Sequence, residues 1–367
     1  CLANRIARGS KSSASDDVPG RRCLEDDVKI LGFELTPWVD LPWMVNFESV
    51  ADPLWIKTSI MIARGVFASV PSFRMVREGF SLDKFDRPVI VVTNHTNYYD
   101  WLPSRFCLYD ELGVQLSSWI KPRPFNSGYP VQVFLSKTGN IPLASRGYIL
   151  VADYNELFGE PPDAETYRAL RDHIDTGNPL PDDPKFKKIL NTPRRMLGWS
   201  FDPRMLPYRE ALQRTFAEMM DASLRLARRA SQSNQFMHVY PEGIISSRLI
   251  PGKIGTMQLA LELGADILPI GVSGAREAFP NGPRPEPDTT VHVRVGEPWR
   301  VPRNEYPSDF RAFGGSIPED IREQLQAHTD AYMEKLNDLL EPEYQWMPDG
   351  KSDGWQGIDR FIPTDKG

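Results

Sequence analysis

The sequence feature that most constrains the fold of this chain is an unbroken run of β-branched residues at 89–93, which ends in a polar turn. A run without apolar–polar alternation predicts a strand that is buried on both faces, as in a parallel sheet. Short apolar stretches recur near 119–120, 140–143, 236–240 and 267–272, and segments with helical spacing lie between several of them. Strands that alternate with helices predict an α/β fold, with a mixed, largely parallel sheet flanked by helices.

Three further stretches complete this pattern. Val291, Val293 and Val295 alternate with polar residues, which predicts a half-exposed strand at the edge of the sheet. The stretch 253–263 predicts a helix, and Gly264 is well placed to end it. A closing helix is expected after Ser316, because Ser316 and Glu319 have the spacing of a capping box.

Changes in composition along the chain predict four parts. Residues 1–28 are rich in Arg, Ser and Gly and predict a flexible arm, and residues 29–84 predict an N-terminal helical segment. Residues 85–315 form the predicted α/β domain, and 316–367 form its closing helix and tail. Inside the domain, the proline-rich stretch of roughly 150–230 predicts a large insertion or subdomain with long loops, and a helix around 207–230 is expected to return the chain to the sheet.

Composition also excludes several classes of protein. Apolar residues make up 41% of the chain, which is enough for a large core and argues against wholesale disorder. A net charge of −6 argues against a general nucleic-acid binder, which must neutralise phosphates. The cysteines Cys1, Cys23 and Cys107 cannot form a closed set of disulfides and lack the spacing of zinc ligands, so no metal site is expected.

Two stretches bear on contact with a membrane. No uncharged apolar run reaches the ~18 residues of a membrane-spanning helix. The stretch 53–70, which includes Lys57 and Arg64, predicts an amphipathic helix that either faces the core or lies in a lipid interface. The basic and aromatic stretch 194–199 is either a packed loop or an interfacial contact. Because the chain begins at Cys1, a lost targeting or anchoring segment before it stays open.

His95 and Asp100 are the first candidates for catalytic residues along the chain. His95 follows the buried run at 89–93, and Asp100 lies five positions later. If the intervening turn folds back, Asp100 accepts a hydrogen bond from one imidazole nitrogen and leaves the other as a general base. No Gly-x-Ser-x-Gly motif supplies an enzyme nucleophile, so we expect a hydroxyl of the substrate to attack.

Two more clusters follow predicted strands. The Tyr-Pro-Glu-Gly sequence at 240–243 places Glu242 and Gly243 at a strand end, which is typical of a cleft, although a surface turn has the same pattern. Arg146 follows the strand predicted near 140–143, and its planar guanidinium suits a phosphate group. An ordinary surface ion pair would account for Arg146 equally well.

The order of these clusters resembles the 1-acylglycerol-3-phosphate acyltransferase family, the PlsC-type lysophospholipid and glycerolipid acyltransferases. Asn94, His95 and Asp100 look like the first sequence block of that family, and Lys121 with 139–146 looks like the second. Residues 240–243 look like the third block and 267–270 like the fourth, so the resemblance covers about 85–300 without the insertion.

The resemblance implies a glycerolipid-acyltransferase-like fold and transfer of a fatty acyl group to a hydroxyl of a lysophospholipid-like acceptor. Acyl-CoA or acyl carrier protein would be the co-substrate, with no other cofactor, and contact with the cytoplasmic side of a membrane would be peripheral. His95 would act as the general base and Asp100 would orient it. The residues that the resemblance assigns to substrate binding are Asn94, Lys121, Arg146, Glu242, Gly243 and Arg248.

One departure from the family pattern leaves the acceptor open. The third block usually continues Thr-Arg-Ser, whereas residues 244–247 read Ile-Ile-Ser-Ser, so one cation expected near an acceptor phosphate is missing. Arg248 is the candidate to substitute for it, although it is displaced along the chain. The alternatives are the same chemistry on a glycolipid or secondary metabolite, a non-catalytic lipid-binding relative, or a hydrolase of acyl thioesters.

Overall fold

The computed structural model describes residues 38–49, 51–82, 85–313, 315, 317–354 and 357, together with the backbone of 29–30 and 33–34. The strands of this part of the chain are β1 (Lys29–Ile30), β2 (Phe33–Glu34), β3 (Arg74–Gly79), β4 (Val89–Thr93), β5 (Leu116–Ile120), β6 (Ile141–Pro142), β7 (Arg194–Met196), β8 (Trp199–Phe201), β9 (Phe236–Val239), β10 (Asp266–Ser273) and β11 (Thr290–Val295). The predicted arm 1–28 and the capping residue Ser316 lie outside the described residues.

The α-helices of the same part of the chain are α1 (Leu41–Asn46), α2 (Pro53–Ala68), α3 (Trp101–Leu112), α4 (Tyr129–Lys137), α5 (Arg146–Phe158), α6 (Ala164–Thr176), α7 (Pro184–Asn191), α8 (Tyr208–Gln232), α9 (Gly255–Leu263), α10 (Ala275–Ala278) and α11 (Glu319–Asp338). Local chemistry sets several boundaries. Pro53 opens α2 behind the capping carboxylate of Asp52, and Gly264 ends α9 with a φ of +71°.

Seven strands form one mixed sheet in the order β3-β11-β10-β4-β9-β5-β6. The five strands β10, β4, β9, β5 and β6 are parallel, and β11 pairs antiparallel with β10 and parallel with β3. The sheet is therefore the predicted mixed, largely parallel one, with helices on both faces. The small hairpin of β1 and β2 belongs to a separate unit, Cys1–Leu35.

Helices cover both faces of the sheet because its central strands are apolar on both sides. In β4, Val89 and Val91 point to one face, and Ile90 and Val92 point to the other. The first face packs against α2, α3 and α10, and the second packs against α5, α8, α9 and α11. The run at 89–93 is buried throughout, as its sequence predicts.

The crevice between β4 and β9 is where the direction of the chain connections reverses. From β4, the chain passes through α3 on one face and arrives at β5. From β9, it passes through α9 on the opposite face and arrives at β10. In open α/β sheets, ligands bind outside the carboxyl ends of the strands at such a reversal.

The prediction for β11 was wrong in one respect. The strand alternates between half-buried and buried residues, but it is not at the edge, because β3 pairs with it along the outer side. Alternation of apolar and polar residues indicates that one face of a strand is partly exposed. It does not indicate whether another strand pairs with the backbone along the outer side. β3 has mostly exposed, polar side chains, which is why no apolar run predicted it.

Residues 150–230 are mostly helical rather than irregular. The helices α5, α6 and α8 contribute buried residues to the core on the second face of the sheet, so this stretch packs onto the domain. Arg194, from the basic and aromatic stretch, is buried in an ion pair with Asp153. Trp199 donates a hydrogen bond to Glu218, and the stretch is therefore a packed hairpin. No helix among the described residues is long and apolar enough to cross a bilayer.

Candidate active site

The turn that joins β4 to α3 folds back onto a buried carboxylate. Asp100, the last residue of the turn, is fully buried. Its Oδ2 atom accepts hydrogen bonds from His95 Nδ1 at 3.1 Å and from the backbone amides of Thr96 at 2.6 Å and Asn97 at 3.1 Å. The predicted hydrogen bond between His95 and Asp100 is present, whereas the catalytic roles of the two residues remain predictions.

His95 is the part of this arrangement that solvent can reach. Its side chain is 17% exposed, in contrast to Asp100 beneath it. Since Nδ1 faces an acceptor-only carboxylate, the proton of a neutral imidazole belongs on Nδ1 and the lone pair on Nε2. Nε2 has no hydrogen-bond partner in the described part of the protein, so it can take a proton from a bound substrate.

Tyr240 completes the support of His95 from the neighbouring strand. The two rings stack with centroids 3.8 Å apart and planes at 15°, and the Tyr240 hydroxyl donates to Asp100 Oδ1. Burial, reinforced by the charge of Asp100, raises the pKa of Tyr240 well above its ordinary value, so the phenol remains a donor. Tyr240 is part of the 240–243 motif, whose sequence pattern predicts no role for it.

Glu242 holds the backbone of His95 in place. It is almost completely buried, and its Oε2 atom accepts a hydrogen bond from the His95 amide at 2.8 Å. Its Oε1 atom faces the amide of Ile250 at 3.4 Å. Burial raises the pKa of Glu242 well above its ordinary value. Both oxygens are thus directed at the backbone, and substrate binding by Glu242 remains a prediction.

The backbone conformation at position 243 favours glycine. Gly243 has a φ of +70°, in the left-handed region that side chains rarely adopt. A Cβ atom there would also lie 3.2 Å from Lys253 Nζ. Gly243 therefore serves the turn itself, while contact with a substrate remains a prediction for this residue.

Asn94 ties the end of β4 to β10. Its Oδ1 atom accepts from the amide of Val272, and its Nδ2 atom donates to the carbonyl of the same residue, both at 2.9 Å. The buried side chain thus bonds to backbone with both ends of its amide. This fixes the position from which His95 projects.

The other predicted substrate-binding residues have different surroundings. Lys121 follows β5 directly. Arg146 opens α5 beyond β6, which is three strands from β4 and hence roughly 14 Å along the sheet at the usual strand spacing. There its guanidinium lies 4.5 Å from the ring centre of Phe216 and 4.0 Å from Asp175. Arg248 donates to the backbone carbonyls of Gln345 at 3.0 Å and Pro342 at 3.2 Å.

A second histidine lies below the site and was missed by sequence reasoning. His238 is buried in β9, where its Nε2 bonds to Thr93 Oγ1 at 2.9 Å and its Nδ1 to Ser118 Oγ at 3.2 Å. Burial lowers the pKa of His238 to about 4, so the ring is neutral at neutral pH. Its ring meets that of Tyr240 edge-on, at 4.7 Å between centroids. The sequence carried no signal for it beyond a histidine within a predicted strand.

The arrangement provides a general base, the imidazole of His95, which Asp100 orients through Nδ1 and which is partly exposed to solvent. Among the described residues, no serine, threonine or cysteine side chain is hydrogen-bonded to His95. The same residues include no group of three or more His, Cys, Asp or Glu that could hold a metal ion. The chemistry that these side chains support is removal of a proton from a substrate group.

No family model matches the sequence, and no curated protein sequence matches it either. Among solved structures, the chain is similar to the 1-acyl-sn-glycerophosphate (LPA) acyltransferase PlsC from Thermotoga maritima. The two chains share 16% sequence identity with a TM-score of 0.39, over 77% of this chain and 79% of the other. At this identity the likeness concerns the fold only.

Proposed function

We propose that the protein is an acyltransferase that moves a fatty acyl group from a thioester to a hydroxyl of a lysophospholipid-like acceptor. The observation that carries this proposal is the His95 imidazole, which is hydrogen-bonded through Nδ1 to buried Asp100 and accessible at Nε2. The sequence blocks around it support the acyl-transfer class, and the donor is acyl-CoA or acyl carrier protein.

In this mechanism His95 Nε2 removes the proton from the acceptor hydroxyl as the oxygen attacks the thioester carbonyl. The new C–O bond gives a tetrahedral intermediate, which collapses by breaking the C–S bond. The proton on His95 then passes to the departing sulfur, and a free thiol and an ester are released. Asp100 keeps the imidazole in the required tautomer and stabilises the imidazolium between the two steps.

Among the residues that the structure describes, no enzyme nucleophile is hydrogen-bonded to His95, and this favours direct transfer. A hydrolase that forms an acyl-enzyme places a serine or cysteine within hydrogen-bond reach of its histidine. In the described part of the chain, His95 has no such neighbour. Direct attack by water would use the same base, so acceptor dependence is the property that separates a transferase from a thioester hydrolase.

Two kinds of lipid are candidates for the acceptor, one that carries a phosphate group and one that is neutral. The arginine that the third block usually carries is missing at 244–247, and Arg248 is turned towards the backbone of the C-terminal segment. These two observations favour a glycolipid or another neutral acceptor as the second candidate.

Helix α2 supports a peripheral position on a membrane. Its side chains Leu54, Met61 and Ile62 are 72%, 61% and 64% exposed, although all three are apolar. Exposed apolar side chains on one helix face are typical of helices that lie in a lipid interface.

The proposal is tested by measuring thiol release from long-chain acyl-CoA with and without 1-acylglycerol-3-phosphate. We expect the acceptor to stimulate release, and His95→Ala to reduce the rate by at least about a thousandfold, because the base is lost. Circular dichroism must show that the variant remains folded. Comparable rates for His95→Ala and the native protein would contradict the role of His95.

The remaining outcomes separate the alternatives. Release at the same rate without acceptor indicates a thioester hydrolase. Release that only a neutral acceptor stimulates indicates a glycolipid or metabolite acyltransferase. If no thiol is released from acyl-CoA or from acylated acyl carrier protein, and lipid binding is saturable, the protein is a non-catalytic lipid-binding protein and the proposal is contradicted.

A further inference from the structure

A series of hydrogen-bonded side chains leads from Asp100 into the centre of the sheet. Tyr240, directly after β9, bonds to Asp100 Oδ1 and also to the hydroxyl of Thr93, at the end of β4. Thr93 Oγ1 lies 2.9 Å from Nε2 of His238, and Nδ1 of His238 lies 3.2 Å from Ser118 Oγ in β5. The four side chains of Tyr240, Thr93, His238 and Ser118, here named the polar series, thus span three neighbouring strands.

The direction of each hydrogen bond in the polar series follows from the carboxylate at its end. Since ionised Asp100 can only accept, the single hydroxyl proton of Tyr240 is donated to it. The Tyr240 oxygen therefore accepts from the hydroxyl of Thr93. Because this bond uses the only side-chain proton of Thr93, the bond between Thr93 and His238 needs a proton on Nε2 of His238.

The same reasoning fixes the form of His238. Its pKa is lowered by burial to about 4, so the ring is neutral at neutral pH and carries one proton, on Nε2. Nδ1 then has a lone pair and accepts from the hydroxyl of Ser118. Every bond of the polar series is thus directed towards Asp100. The two histidines carry their protons on different nitrogens, His95 on Nδ1 and His238 on Nε2.

His238 acts on Tyr240 in two ways. It donates to Thr93, which in turn donates to Tyr240, and hydrogen bonds that follow one another in this manner strengthen each other in a buried site. Its ring also meets the Tyr240 ring edge-on, 4.7 Å between centroids, while the other contact of that ring is the stack on His95. Both Thr93 and His238 are almost completely buried, so solvent has little access to replace a lost donor.

We propose that His238 is a positioning residue for the base: through Thr93 and Tyr240 it holds the Asp100 carboxylate in the place where that group orients His95. The proposal rests on the proposed function, because the orientation of His95 matters for the proton transfer of that reaction. His238 itself does not meet the substrate, and no proton needs to move along the polar series. The effect of His238 is therefore expected on kcat rather than on substrate binding.

The first test is spectroscopic and does not depend on turnover. In NMR spectra of the full chain labelled with ¹⁵N-histidine, the signals of His95 and His238 are assigned by their loss in His95→Ala and His238→Leu. We expect the native protein at neutral pH to carry a proton on Nδ1 of His95 and on Nε2 of His238. In His238→Leu the Nδ1 proton of His95 should exchange with water at least about fivefold faster, because its acceptor is held less firmly. A His238 ring that is charged or protonated on Nδ1 would overturn the proposal.

The second test is the rate of thiol release. His238→Leu should lower kcat about fivefold with KM within twofold, and His238→Gln should stay within twofold of the native kcat, because its side-chain amide still offers Thr93 a donor. Thr93→Val keeps the shape of the side chain and should lose as much as His238→Leu. The double variant should lose no more than either single one, since both changes interrupt the same series. Losses that multiply, or no loss in folded His238→Leu and Thr93→Val, would overturn the proposal.

A matched control and a separate outcome complete the design. His328→Leu removes another histidine that bonds to a tyrosine, Tyr306 at 2.6 Å, in a cluster with Glu305, and should change neither kcat nor the exchange rate at His95. If His238→Leu does not fold, Thr93→Val and the native tautomers decide. Faster exchange at His95 with no thiol release by any variant would retain the positioning role and reject the acyltransferase. Thiol release that requires His95 but is indifferent to both changes would retain the acyltransferase and reject the role of His238.

Discussion

At the scale of single residues, Asp100 is the centre of the candidate site. Four donors converge on its two oxygens: the imidazole of His95, the amides of Thr96 and Asn97, and the hydroxyl of Tyr240. The two amides belong to the turn itself, so they fix the carboxylate relative to the backbone. Tyr240 directly follows the neighbouring strand β9 and contacts both His95 and Asp100, which makes it a positioning residue.

We expect Tyr240→Phe to lower kcat about tenfold while the KM of each substrate stays within twofold. The change keeps the ring stacked on His95 and removes one hydrogen bond to Asp100, a loss of about 1–1.5 kcal/mol. The support of the imidazolium should therefore weaken when a substrate is being deprotonated, with little effect on binding. Steady-state thiol release measures both constants.

Tyr208→Phe is the matched control for this prediction. Tyr208 is a buried tyrosine that, like the partly buried Tyr240, donates to a buried aspartate, in this case Asp153, and it has no contact with His95. Both variants should lose similar stability in thermal unfolding, but only Tyr240→Phe should lose activity. Equal kcat values for the two variants would show that Tyr240 has a structural role alone.

The sequence predicted the pairing of His95 with Asp100 because both residues lie in one short turn. It did not predict the bond from Tyr240 or the buried His238, since register between separate strands decides which side chains meet.

At the scale of elements, the hairpin of β7 and β8 shows how the elements within residues 150–230 are held together. Arg194 of β7 forms two hydrogen bonds to Asp153 of α5, at 2.8 and 2.7 Å, and bonds to the carbonyls of Ile189 and Thr192. Tyr208 at the start of α8 donates to the same carboxylate. The pair is almost completely buried and connects the four elements α5, α7, β7 and α8.

We expect Asp153→Asn to destabilise the protein by about 3–5 kcal/mol, because it leaves the buried guanidinium of Arg194 without a counter-charge. Asp182→Asn serves as the control. Asp182 pairs with Lys187 at 2.6 Å, but both side chains are largely exposed, so its loss should cost less than about 1 kcal/mol. Urea unfolding of both variants gives the comparison, and a loss below about 1 kcal/mol for Asp153→Asn would show that the pair is not stabilising.

The basic and aromatic pattern at 194–199 was compatible with either a packed loop or a membrane interface. The residues that contact Arg194 and Trp199 in the fold decide between the two. Asp153 lies forty-one residues before Arg194, and Arg214 covers Trp199 at 3.8 Å from the ring centre. The sequence predicted the main parallel strands better, because a strand buried on both faces has an unbroken apolar run. The polar strand β3 has no such signature.

At the scale of the whole molecule, α2 presents an apolar face outward on the side of the sheet that also carries α3. The exposed positions 54, 58, 61, 62 and 65 fall on one side of the helix, and Ile56 and Ile60 on the other side are buried in the core. Lys57 is exposed along the margin of this face, and Arg64 on the same margin is paired with Asp110. The apolar side chains, rather than the charges, would therefore provide most of the attraction to a lipid surface.

We expect Met61→Glu to reduce binding to phosphatidylcholine vesicles with an anionic lipid fraction at least about tenfold, since a carboxylate replaces an apolar side chain worth roughly 1.5–3 kcal/mol on burial. Met205→Glu is the matched control, because Met205 is 83% exposed in the turn before α8, away from α2. Vesicle sedimentation gives the partition constants. Both variants should retain thermal stability and His95-dependent thiol release with a water-soluble acceptor. Equal sedimentation of the two variants would mean that α2 does not meet the membrane.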